Sequence, residues 1–101
     1  MDKRLKLHEE LCTILGNRHV YFQPPESIRM EYPAIKYSLH DNRNTHADNG
    51  VYFQSRFYNV IVIDRNPDSE IMKRLSTLRG IRFDRYYTSD NLNHWSYTLH
   101  Y

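Results

Sequence analysis

Six histidines raise the question of a metal centre. The tightest grouping is His40-Asp41 with His46-x-Asp48. Zinc centres hold their ligands at fixed spacing on rigid supports, often with cysteine, whereas residues 40–50 contain almost nothing to bury and read as a polar loop or arm. His94 and His100 fall on one face of a strand but lie ~20 Å apart along it, beyond chelating distance. Nucleophilic catalysis needs a nucleophile beside a base and an orienting group. Cys12 sits at the edge of an apolar helical stripe and reads as a small core residue. The chain has no Gly-x-Ser-x-Gly and no glycine-rich phosphate loop, and no glycosidase carboxylate pair can be assigned. Arg82, Arg85, Tyr86, Tyr87 and His94 are residue types with which an RNA-cleaving sheet could work. They equally suit cross-strand pairs on a half-exposed sheet. No catalytic, cofactor-binding or metal residue is therefore assigned, no cofactor is expected, and the chain is not expected to be an enzyme.

The elements that position these residues follow from periodicity and punctuation. Residues 2–15 predict an amphipathic helix with Leu7, Leu11 and Ile14/Leu15 as its apolar stripe, capped by Asp2 and stopped by Gly16. His19–Phe22 is a short strand ended by Pro24-Pro25. Residues 33–39 form a strand that opens on Pro33, with Ile35, Tyr37 and Leu39 on one face. Residues 51–64 form the strongest strand. Its end, Val60 to Ile63, is apolar on both sides and predicts a central strand covered twice. Its beginning is expected to bend or to project as an arm. Asn66-Pro67 with Asp68 and Glu70 predicts the start of a helix running to about Leu78. Ile81, Phe83, Arg85 and Tyr87 then alternate with Arg82, Asp84 and Tyr86. After a turn at residues 88–93, Trp95, Tyr97, Leu99 and Tyr101 alternate with His94, Ser96, Thr98 and His100. The order α-β-β-β-α-β-β implies an α+β fold, a mainly antiparallel sheet with two helices packed on it, in one domain over residues 1–101.

Composition narrows the function classes. The 101 residues carry 14 Lys+Arg against 12 Asp+Glu, a net charge of +2 without a basic stripe, so a dedicated nucleic-acid binder is not indicated. The longest apolar runs are far too short to span a membrane. No apolar signal region opens the chain, and a single cysteine fits a reducing compartment. Nine tyrosines, four phenylalanines and one tryptophan argue against disorder. Tyr52, Tyr58, Tyr86, Tyr87, Tyr97 and Tyr101 exceed what one small core is expected to bury, so the surplus reads as contact surface.

Several segments carry a resemblance. They are Tyr32-Pro-Ala-Ile-Lys-Tyr-Ser-Leu39, Ala47-Asp-Asn49 followed by Tyr52, Tyr58-Asn-Val-Ile-Val-Ile-Asp64-Arg-Asn-Pro-Asp-Ser69, and Phe83-Asp-Arg-Tyr-Tyr-Thr-Ser-Asp-Asn-Leu-Asn-His94. In order and spacing this series, over residues 30–101, resembles the tail terminator or tail-completion proteins of tailed bacteriophages and prophages. The resemblance implies a structural virion subunit that forms a ring, expected to be a hexamer. The ring would cap the tail tube and join it to the head connector, with tail-tube and head-completion proteins as partners. The protein would be located in the virion neck or tail after assembly in the host cytoplasm. DNA would pass the lumen without specific binding, and no membrane contact is implied. The candidate assembly interface is His40, Arg43, His46, Asp48, Tyr52, Arg56, Tyr58, Tyr86, Asp90 and His94. The alternative is a small RNA-binding protein or endoribonuclease toxin.

Overall fold

The computed structural model describes residues 3–25, 27–40 and 57–101. Among these the chain forms α1 (Lys3–Leu15), β1 (Val20–Phe22), β2 (Ala34–Leu39), β3 (Phe57–Asp64), α2 (Ile71–Leu75), β4 (Ile81–Ser89) and β5 (Leu92–His100). The five strands make one sheet in the order β1-β2-β3-β5-β4. Only the β1–β2 pair is parallel. The fold is α+β, with both helices on one face of a mainly antiparallel sheet. The projected beginning of the long strand, residues 51–56, and the polar segment from Asp41 to Gly50 lie outside the described residues.

The core forms where helical and strand periodicities meet. Leu7, Leu11 and Leu15 recur at i, i+4 and i+8, so one stripe of α1 faces the sheet. Ile71 and Leu75 do the same for α2. Beneath them lie Ile35 and Tyr37 of β2, Tyr58, Val60 and Val62 of β3, and Trp95, Tyr97 and Leu99 of β5. Each such aliphatic side chain, fully buried, stabilises the fold by roughly 1.5–3 kcal/mol. Cys12 is buried beside them, and burial pushes its thiol pKa up. Gly16 ends α1 at φ +89 with its N–H on the Cys12 carbonyl at 2.9 Å, the left-handed stop that a residue without Cβ adopts most readily.

Four expectations change. The second helix is short. Asn66 does not cap it: its side chain accepts the Asp68 N–H at 2.9 Å, as a cap would, but the chain only turns there and regular helix has not begun. Ser69 accepts from Ile71 instead, at 3.3 Å, and regular helix spans only Ile71–Leu75. Tight turns then carry the chain to Gly80. β3 is central, but its second face is covered only in part: the helices lie on the other face, Ile61 is half-buried, and Ile63 with its partner Ala34 is buried at the end of the strand. The alternation in β4 breaks at a bulge between Phe83 and Arg85. The extra residue, Asp84, shifts the phase of the strand. Phe83 and Tyr86 therefore share the helix face, opposite Tyr97 and Trp95, while Arg82, Arg85 and Tyr87 share the open face. The hairpin turn is two residues, Asp90 (φ 55) and Asn91 (φ 62), the left-handed pair that suits the twist of antiparallel strands. Residues 88, 89, 92 and 93 belong to the strands.

Candidate functional site

The helix layer is narrower than the sheet. α1 packs against β1, β2 and α2, and five residues of α2 cannot reach across the remaining width. The bare part of the helix face is β4. Phe83 is 53% exposed and Tyr86 48% exposed, although each leans on a core ring. Phe83 meets Tyr97 edge-on at 5.4 Å, and Tyr86 meets Trp95 at 5.5 Å. The Tyr86 hydroxyl donates to Asn93 Oδ1 at 2.5 Å. Asn93 in turn donates from Nδ2 to the carbonyls of Asp64 and Arg65, which ties the hairpin end to the end of β3.

Among the described residues, the other exposed large apolar side chains beside the helix layer lie towards the opposite edge. They are Leu5 on α1, Ile28 in the β1–β2 connection and Leu39 at the end of β2. Arg4 covers Phe22 of β1, its guanidinium 4.4 Å from the ring centroid. Beneath, the Tyr37 hydroxyl meets Nδ1 of His8 at 2.8 Å and receives a donor from Arg4 at 3.3 Å. Burial, with Arg4 and Arg18 adding to it, holds the His8 pKa below its ordinary value.

The open face is organised by strand register into transverse rows. One row reads Lys36, Ile61, Ser96, Arg85. Its neighbour reads Ser38, Asn59, Thr98, Arg82. The flanking rows carry stacked rings: Tyr87 lies on His94 at 4.8 Å and 14°, and Phe57 lies on His100 at 4.5 Å and 16°. The Arg85 guanidinium is 4.9 Å from the Tyr87 ring centroid. Asp84 accepts from Thr98 at 2.6 Å and pairs with Arg82 at 3.4 Å. A shallow recess lined by Gln23, Pro24, Lys36, Ser38, Asn59 and Ile61 opens on the β2 side of these rows.

The residues singled out in the sequence separate accordingly. Arg43, His46, Asp48, Tyr52 and Arg56 lie outside the described residues. Tyr58 is a correction: it is 3% exposed and belongs to the core under the helices, so it offers no surface to a neighbour. The same holds for Tyr97, at 5%. Two helices over aromatic strands bury more tyrosine than the composition suggested. Tyr86 is exposed, Asp90 sits at the exposed hairpin tip, and His94 is half-buried on the open face. His40 is exposed at the far end of that face, its Nδ1 3.1 Å from Asn59 Oδ1. Of the RNA-directed cluster, Arg82, Arg85, Tyr87 and His94 share the open face, while the bulge sends Tyr86 to the other. The reading missed Phe83, Leu5, Ile28 and Leu39. Their exposure depends on the length of α2 and the placement of α1, which strand alternation does not carry.

Among the described residues no group of three or more His, Cys, Asp or Glu is placed to hold a metal ion, and no helix is long and apolar enough to cross a membrane. No family of sequences, no curated protein and no solved structure matches the chain.

Proposed function

We propose that the chain is a ring-forming subunit of the tail-terminator or tail-completion kind in a tailed bacteriophage. It would cap the tail tube and join it to the head connector. The observation that carries this reading is the placement of uncovered apolar side chains on two different patches. One is the Phe83–Tyr86 shelf on β4; the other is the β1–β2 side of the molecule, where Leu5, Ile28 and Leu39 are each exposed. A ring closes by head-to-tail contacts, in which one patch of each subunit meets a different patch of the next. Two apolar patches towards opposite edges of one sheet suit that geometry. The motif series from Tyr32 to His94 supports the same reading.

Size-exclusion chromatography with light scattering, followed by electron microscopy of the peak, tests it. The expected result is a ring of about six subunits. Phe83→Glu or Leu39→Glu is expected to return it to folded monomers. A stable monomer that cleaves RNA, with cleavage lost in Arg85→Ala or His94→Ala, would overturn it in favour of an endoribonuclease. That second reading draws on Arg85, Tyr87 and His94 sharing one face.

A further inference from the structure

We propose that the open face of the sheet binds single-stranded nucleic acid without sequence preference. This inference does not rest on the ring reading: it draws on the face opposite the apolar shelf, and of the residues proposed for assembly it uses His94 alone. Its two central rows are small and polar in the middle, with Ser96, Thr98 and Asn59, and cationic at the margins, with Lys36 on β2 and Arg82 and Arg85 on β4. β2 and β4 are three strand spacings apart, or ~14 Å. A phosphodiester chain running along β3 and β5 therefore lies between cations on both sides. Three cations outweigh the one carboxylate on these rows, Asp84, which Arg82 and Thr98 already occupy. Among the described residues no carboxylate pairs with Arg85, whose guanidinium lies against Tyr87.

The flanking rows decide the class of polyanion. Tyr87–His94 and Phe57–His100 are parallel stacked pairs at either end of the polar rows. Phe57 is 40% exposed. His94 to His100 spans ~20 Å along β5, room for about three nucleotides, as on other sheets that stack two or three bases. Unpaired bases have free π-faces to lay on such rings. A duplex hides its base faces, and an acidic peptide would use the cations but leave both stacks idle.

Fluorescence anisotropy with a labelled oligothymidylate of about 12 nucleotides tests the proposal. Weak binding at about 50 mM salt is expected, falling roughly twentyfold by about 200 mM as three phosphate contacts are screened. The double variant Arg82→Ala/Arg85→Ala is expected to bind at least ~10-fold more weakly. Lys36→Ala, across the sheet, is expected to weaken binding in the same direction. Tyr87→Ala should weaken it and Tyr87→Phe restore it, which separates stacking from the hydroxyl. Arg18→Ala, which removes a cation paired with Glu9 on the helix side of the sheet, should leave it unchanged. Circular dichroism melts confirm that each variant is folded. The proposal is overturned by no binding at low salt, by a duplex of the same length binding as tightly, or by binding indifferent to both the arginine pair and Lys36.

Discussion

The helix face of the sheet has two halves that differ in cover rather than in chemistry. Over β2, β3 and β5, apolar side chains at alternate positions are sealed by α1 and α2. Tyr37, Tyr58 and Leu99 are at most 3% exposed. Over β4, beyond the partly buried Ile81, the side chains in the same phase stay bare, with Phe83 and Tyr86 about half exposed. Ring chemistry and strand geometry are alike in both halves, and the difference is the reach of a five-residue helix. Burial here is thus a property of the neighbouring element. The same aromatic residue stabilises the monomer under a helix and remains available to a partner without one.

The comparison predicts an ordered series of effects on the isolated chain. Leu11→Ala, fully buried under α1, is expected to cost ~2–5 kcal/mol by chemical denaturation. Phe83→Ala is expected to cost less than ~1 kcal/mol in the same experiment. Equal losses would mean that the shelf is part of the monomer's core. Next comes Gly80→Ala. Gly80 has φ +84, and a Cβ there would collide with the carbonyl of His100, whose N–H donates to the Gly80 carbonyl and closes the start of β4. A loss above ~1 kcal/mol is expected, and a neutral result would show that this end of β4 moves freely. Tyr37→Phe removes the hydroxyl shared by His8 and Arg4 while keeping the ring, for an expected loss of ~1 kcal/mol.

A smaller effect is a pH dependence. The folded state holds His8 below its ordinary value of 6.5, so the unfolded chain takes up the proton first as pH falls. Stability from this group is present above 6.5 and declines as pH drops below it. Melting temperatures measured across that range should fall towards acid, and His8→Gln should flatten the fall. The smallest effect belongs to Arg18→Ala. It breaks an exposed bidentate pair with Glu9 at 2.8 and 2.9 Å and is expected to leave the melting temperature unchanged, since water already solvates both partners.

Much of the fold was legible in the chain. The stripe of Leu7, Leu11 and Leu15 and the two-residue period of β5 are direct consequences of helix and strand geometry, and both stand. What was not legible depends on single local events. Asp84 looks like any polar member of an alternating strand, yet bulging there reverses the phase of Arg85, Tyr86 and Tyr87. Asn66 has the residue type of a helix cap but turns its side chain onto Asp68, because the chain has not yet become helical. Tyr58 looked surplus only because the cover over β3 could not be sized from the sequence. Of the proposed interface, His40, Tyr86, Asp90 and His94 have surface to offer.

The bulge has one more consequence. A strand at the rim of a sheet leaves a row of backbone amides and carbonyls open, and a straight row invites another chain to zip onto it without limit. Asp84 spoils that row partway along and places a carboxylate and two guanidiniums beside the break. Removing this one residue would leave Phe83, Arg85, Tyr86 and Tyr87 on their present sides, with every ring still in position. It would also straighten the rim, exchanging an edge interrupted partway along for one open to pairing over its whole length.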